Sequence, residues 1–386
     1  MQVTGTIKYV GVNDHDIDLF EGQYDVRENG MAYNSYVVIG EKVAVADTVD
    51  ARFVDEWLGN VETALDGRTP DYLVVHHMEP DHSAGIVAFM DRYPDAQIVA
   101  SKMAFKMMAA YFGTDFSDRQ IVCKEGFELD LGDRTLRFIG AANVHWPEVM
   151  FSYDSQDKVL FSADAFGKFG ANDIEDPEGW ACEARRYYFG IVGKFGKNVQ
   201  AVLQKVAAFD VECICPLHGP VLSENLAYYV ETYTTWAHYE PENSGVAIAY
   251  ASVYGHTKQA AEELARALEE RGQTVSLFDL ARDDMAEAVE DAFRYDRLVL
   301  ASLTYAGDIF PFMTTFIHTL AEHAYQNRKV AFIESGTWAP VAAKAMRAQM
   351  EQMAGIEFAE TVVTVRGSVD DAARAQIAAL ANELAS

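Results

Sequence analysis

The run Asp71-Tyr72-Leu73-Val74-Val75-His76-His77-Met78-Glu79-Pro80-Asp81-His82 decides how this chain is read. Its first five residues form a short apolar stretch of the kind that becomes a buried strand. Its last seven residues hold three histidines and two carboxylates. Polar and charged groups at the end of a buried strand cost several kcal/mol each, about the scale of a whole domain's stability, unless they are paired or bind a metal. Side chains alternate along an extended segment, so His76 and His77 point to opposite sides and His76 is set aside as a ligand.

Three further residues lie just past other apolar runs: His145 in NVHWPEVMF (143–151), Asp164 in LFSADAFGKFG (160–170) and His218 in CPLHGP (215–220). Taken alone, His145 fits a loop histidine bonded to backbone and Asp164 fits a turn cap. Taken in order, H-x-E-x-D-H, then His, Asp and His, the pattern resembles the metallo-β-lactamase fold as flavodiiron proteins use it. Hydrolases of that superfamily carry H-x-H-x-D-H, and here Glu79 replaces the second histidine. The resemblance implies one iron held by His77, Glu79 and His145 and a second by Asp81, His82 and His218. Asp164 and a solvent oxygen would bridge them. Four imidazoles and three carboxylates suit iron, whereas zinc has no redox chemistry.

A second pattern begins at the apolar run VAIAY (246–250), which passes through Ala251-Ser252-Val253-Tyr254-Gly255-His256-Thr257 into a helical stretch. It is neither a Walker loop nor G-x-G-x-x-G. Hydroxyls and backbone N–H groups at a helix N-terminus can cradle a phosphate, and the same residues equally suit a plain strand–turn–helix with Ser and Thr as caps. Two more loops follow apolar runs: Ser302-Leu303-Thr304-Tyr305-Ala306-Gly307 and Glu334-Ser335-Gly336-Thr337-Trp338. Ligands of open α/β sheets bind at such strand ends. Together the three loops resemble short-chain flavodoxins and imply FMN. The phosphate would rest on Ser252, Val253, Tyr254, Gly255, His256 and Thr257. The ring would lie between Thr304, Tyr305, Ala306 and Gly307 on one side and Ser335, Gly336, Thr337 and Trp338 on the other, with Trp338 stacking. Leu303 stands where many relatives carry proline.

The chain's 386 residues allow two or three domains, and the two residue patterns fix the number at two. The seam is HYEPENSG (238–245), between a helical stretch at 226–237 and the run at 246–250. The expected α/β architecture is therefore a metallo-β-lactamase-like αββα sandwich over 1–243 and a flavodoxin-like, doubly wound, five-stranded parallel sheet over 244–386. Apolar runs predict strands at 35–39, 42–46, 71–75, 97–100, 135–139, 158–162 and 212–216, and in the second part at 246–250, 274–278, 297–301, 329–333 and 361–365. Periodicity predicts helices at 54–65, 102–112, 197–209 and 257–271.

The formal charge of −28, from 31 Lys and Arg against 59 Asp and Glu, excludes a nucleic-acid binder and disfavours an acidic lipid surface. No apolar run reaches the roughly 20 residues that cross a bilayer. The N-terminus alternates like a strand and shows no signal peptide. Cys123, Cys182, Cys213 and Cys215 contain no C-x-x-C, so the expected compartment is the reducing cytoplasm, with Cys213 and Cys215 as core thiols.

These readings lead to an oxidoreductase that passes electrons through FMN to a diiron site and reduces dioxygen to water or nitric oxide to nitrous oxide. The resemblance adds a head-to-tail homodimer or dimer of dimers. With no rubredoxin-like C-x-x-C pair in the sequence, the expected donor is separate: rubredoxin, another small carrier or a reduced deazaflavin. Two rivals stand beside this reading. One is a zinc hydrolase fused to a flavodoxin, and the other a non-catalytic FMN carrier or gas sensor. Glu79 and the fused flavin pattern oppose the first; seven intact ligand types oppose the second. Tyr24 and the Tyr187-Tyr188 pair are conceivable pocket residues that the sequence does not assign.

Overall fold

The computed structural model describes residues 2–177 and 179–386. By its contacts the chain divides into Met1–Thr234 and Thr235–Ser386. That division falls within the last turns of the helix Leu226–Ala237, ahead of the seam read from the sequence. Trp236, Tyr239 and Glu242 bond within the second unit: the Trp236 indole donates to Glu242, and the Glu242 N–H donates to the Arg294 carbonyl.

Among the described residues, the first unit holds two main sheets. One sheet runs Ile7–Tyr9, Tyr36–Ile39, Val43–Ala46, Tyr72–Val75, Gln97–Ser101 and Gln120–Cys123, in spatial as in chain order. The other runs Glu128–Asp130, Thr135–Gly140, Met150–Asp154, Val159–Phe161 and Cys213–Cys215. Val38, Ala44, Val74 and Val99 of the first pack with Phe138, Met150, Phe161 and Cys215 of the second, which makes the space between the sheets the core. Helices close the outside: Val54–Leu65 on Tyr36–Ile39, Lys102–Phe112 on Gln97–Ser101 and Gly196–Val206 on Thr135–Gly140. This is the expected αββα sandwich, and Cys213 and Cys215 are buried in it. The helix Lys102–Phe112 shows how local chemistry sets its ends. Ser101 Oγ accepts from the Ala104 N–H at 3.2 Å, and Gly113 at φ +70° closes it.

In the second unit, parallel strands lie in the order Val275–Asp279, Asn243–Tyr250, Tyr295–Tyr305, Lys329–Ser335, Glu357–Val365. A two-residue strand, Asp308–Ile309, pairs antiparallel with Tyr295–Tyr305. The five expected parallel strands are all present, and this addition is too brief for periodicity to reveal. Val246, Ile248, Val299, Ala301, Ala331 and Ile333 pack with helices His256–Glu269 and Asp371–Ala385. The strand order reverses between Asn243–Tyr250 and Tyr295–Tyr305, and such a reversal opens a crevice at the carboxyl ends.

Arg328, 2% exposed, binds this unit together. Its guanidinium donates to the carbonyls of Tyr295 (2.8 Å), Tyr239 (2.6 Å), Gln326 (3.1 Å) and Phe293. Arg328→Met keeps the bulk but strands those acceptors, each costing about 1–3 kcal/mol when buried and unpaired. The expected outcome is a loss of about 3 kcal/mol or more, read as an earlier urea transition of this unit.

Candidate metal centre and flavin pocket

Every residue of the first pattern lies just past the carboxyl end of a sandwich strand. His77 and Glu79 follow Tyr72–Val75, and Asp81 and His82 sit on the short helix Pro80–Ser83. His145 lies between Thr135–Gly140 and Met150–Asp154, Asp164 follows Val159–Phe161, and His218 follows Cys213–Cys215. The structure brings all seven together in two groups. Ligand atoms of His77, Glu79, His145 and Asp164 lie within 4.8 Å of one another, as do those of Asp81, His82 and His218. Asp164 stands between the groups: one oxygen is 3.3 Å from His77 Nε2 and 3.1 Å from His145 Nε2, the other 3.5 Å from His82 Nε2 and 3.9 Å from His218 Nε2.

The carboxylate oxygens of Asp81 and Asp164 are buried without a hydrogen-bond partner. Buried carboxylates left so exact several kcal/mol unless a cation completes them, so the donor set fits a metal pair. Charges confirm how tightly these groups are coupled. Burial alone would raise Asp164 and Glu79, but the imidazoles of His77 and His145 hold both well below the carboxylate range. Burial would likewise depress His145, yet Asp164 and Glu79 hold it up at about 9. His82 has less support; burial pushes it down despite Asp81. The carboxylates favour protons on His77 and His145, and a metal binding those nitrogens would displace them.

His76 points elsewhere, as its place in the alternation requires. Its Nδ1 lies 2.6 Å from Asp47 Oδ2 and its Nε2 2.7 Å from Ser152 Oγ, with the ring between Phe138 and Phe161. Asp47 also accepts the His76 N–H at 2.7 Å, which fixes the backbone from which His77 springs.

Three residues at the site, Glu148, Asn34 and Glu21, were not singled out from the sequence. Glu148 accepts from His77 Nδ1–H at 2.8 Å and from the Met78 N–H at 2.9 Å. Asn34 donates to the carbonyls of Pro216 (2.9 Å) and Gly219 (2.7 Å), clamping the turn that carries His218. Glu21, although exposed by its surface area, loses enough solvent near Glu79 that this desolvation, followed by that neighbour's charge, pushes its carboxyl up to about 7. Tyr187 is fully buried beside His218, ring centres 5.4 Å apart, with its hydroxyl unpartnered. Burial and then the Asp164, Glu79 and Asp81 carboxylates hold that phenol protonated. Tyr24, by contrast, donates to the Gly190 carbonyl at 2.8 Å.

The second pattern surrounds a cavity of about 560 Å³. Ser252, Val253, Tyr254, His256 and Thr257 line it from the first loop. Thr304, Ala306 and Gly307 line it from the second, and Ser335, Gly336, Thr337 and Trp338 from the third. Two residues assigned to the flavin from the sequence do not line the cavity. Gly255 instead makes the turn, with φ +90° and its N–H on Ser252 Oγ at 3.1 Å. Tyr305 turns edge-on to Phe310, centroids 5.1 Å apart. Leu303, Ala339 and Gly367 complete the wall. The loops are tied to one another: Thr257 and Ser335 hydroxyls meet at 2.8 Å, and Thr304 Oγ1 accepts from the Val341 N–H at 2.9 Å. Trp338, 81% exposed at the lip, leaves an indole face open for a planar ring. Hydroxyls, helix N-terminus and open aromatic face together fit FMN.

The ODP β-lactamase family model matches residues 31–219, and the flavodoxin domain model matches residues 247–372. The anaerobic nitric oxide reductase flavorubredoxin of Vibrio vulnificus is 29% identical, over 94% of this chain and 75% of its own length. An uncharacterized protein of Methanocaldococcus jannaschii is 30% identical over 82% of this chain and 80% of itself. The solved structure of rubredoxin oxygen:oxidoreductase from Desulfovibrio gigas superposes with TM-score 0.92 at 26% identity, covering 100% of this chain and 97% of that one. This chain belongs to the flavodiiron proteins. As a flavodiiron protein it is an oxidoreductase, with FMN and a diiron pair as its cofactors. Among its described residues no helix is long and apolar enough to cross a membrane.

Proposed function

We propose that this flavodiiron protein draws electrons from a separate donor through FMN and reduces dioxygen to water or nitric oxide to nitrous oxide. The observation that carries the reading is the presence, in one chain, of seven converging ligand residues and a cavity of about 560 Å³ lined by the three loops of the flavodoxin-like pattern. The relatives' names add support: one is a nitric oxide reductase, another an oxygen oxidoreductase. His77, Glu79 and His145 would hold one iron, Asp81, His82 and His218 the other, and Asp164 both. Bound there, FMN supplies single-electron transfer and the iron pair supplies binding and reduction of the gas.

The chain's own residues set the conditions. Asp164 keeps the two groups in register from its place between them. Glu148, Asp47 and Asn34 orient the ligands from behind through charge-assisted and amide hydrogen bonds. Both reactions consume as many protons as electrons. The Glu21 carboxyl can hold a proton beside Glu79, and the Tyr187 hydroxyl can donate a hydrogen bond toward the carboxylates that surround it. The donor is rubredoxin, another small carrier or a reduced deazaflavin. Head-to-tail pairing into a dimer or dimer of dimers and a cytoplasmic setting belong to the same reading, and an active strict monomer on gel filtration would contradict the pairing.

Metal and flavin analysis tests the proposal. One FMN and two irons per chain are expected, matching one cavity and two ligand groups. Zinc as the only stoichiometric metal, with ordinary ester or lactam hydrolysis, would overturn it.

A further inference from the structure

The two ligand groups are not supported alike. In the first, the His77 nitrogen turned away from the cluster donates to Glu148 Oε1 at 2.8 Å. Glu148 is 2% exposed, and its second oxygen has no hydrogen-bond partner. In the second, the corresponding nitrogen of His218 donates at 2.8 Å to a neutral acceptor, the Ala32 carbonyl. The outward nitrogen of His82 is buried and has no partner. Glu79 belongs to the first group, Asp81 to the second, and Asp164 is shared. Glu148 therefore gives the first group one carboxylate more than the second.

A carboxylate behind a ligating imidazole raises its basicity and fixes its orientation, and losing such a partner costs about 10–100-fold in metal affinity. A carbonyl orients the ring without adding charge, and an unbacked imidazole receives neither benefit. We propose that the metal pair is unequal by construction: Glu148 makes the His77–Glu79–His145 position the tight one, and the Asp81–His82–His218 position empties first. Glu148 acts through His77 and is a positioning residue. The inference rests on the proposed ligand set, which the iron content of untreated protein checks independently of the order of loss.

The test begins with the whole protein, treated with an iron chelator until one iron per chain remains and then crystallised. Anomalous scattering at the iron edge reads the occupancy of each position. The expected result is at least about a tenfold excess of iron at the first position, the lower end of the affinity range above. Equal occupancy, or an excess at the second position, would overturn the proposal. Glu148→Gln keeps the shape and an acceptor oxygen but removes the charge. In that variant the occupancy ratio is expected to fall toward one while FMN content stays unchanged. A ratio that stays at the parental value would show that Glu148 is not the cause. Should the variant take up no iron, the occupancies of the parent protein still decide whether the positions are unequal.

Discussion

Asp164→Ala is expected to abolish reduction of either gas, lowering turnover at least about 100-fold, since removing only an outer partner of a ligand already costs 10–100-fold. Asp164 is fully buried, and its two oxygens face different ligand groups. No other carboxylate of the cluster approaches histidines of both groups among the described contacts. Its loss removes a ligand from each position and the charge that opposes His77 and His145. Iron should fall below two per chain. FMN should remain at the parental level, because the flavin cavity is built from residues 252–367. Asp164→Asn, which keeps the volume, separates a packing defect from a missing ligand: both variants should lose iron. A variant that retained two irons and the parental rate would refute the bridging role.

The second large effect concerns the phosphate turn. Gly255 sits at φ +90° and opens the helix His256–Glu269, and a Cβ placed there meets nothing within 4 Å. A clash is therefore not the issue; conformation is. A β-branched residue in the left-handed region costs on the order of 1–3 kcal/mol, which the turn relieves by moving its N–H groups. Gly255→Val is expected to weaken FMN binding by about tenfold, equivalent to about 1.4 kcal/mol. Gly255→Asn, more tolerant of that region, should retain most of the affinity. Fluorescence titration of the deflavinated protein with FMN reads both. Unaltered affinity in the valine variant would show that the turn geometry does not serve the flavin, and iron content should be the same in all three proteins.

The seven metal-site residues were legible because each follows an apolar run, so their positions in the chain imply strand ends. The same logic located three of the four loops around the flavin cavity. Gly367 escaped because Arg366-Gly367-Ser368 follows the last strand without an aromatic or a matching hydroxyl pattern. The residues behind the ligands escaped for a different reason. Glu148, Asp47 and Asn34 are single polar residues whose partners lie far along the chain, 71 residues away for Glu148 and His77, and no local spacing marks such a contact. Tyr305 stands apart in another way: its motif position suggests a flavin contact, and its ring packs edge-to-face on the neighbouring Phe310 outside the cavity wall. Strand ends were extended by pairing rather than by hydropathy. Tyr295–Tyr305 outruns its apolar centre at both ends, pairing at Tyr295 with Asn243, at Ser302 and Leu303 with the next parallel strand, and at Thr304 and Tyr305 with Asp308–Ile309.

Electrons entering at the flavin are expected to reduce a gas at the metal pair. The most direct measurement reduces the holoprotein under anaerobic conditions, removes the reductant, and adds a pulse of dioxygen or, separately, nitric oxide while flavin absorbance and gas are followed together. The expected result is prompt flavin reoxidation with consumption of at least one gas, yielding water or nitrous oxide, and loss of that reaction in Asp164→Ala with its flavin intact. Equally fast reoxidation in Asp164→Ala, or a reduced protein that consumes neither gas, would contradict it.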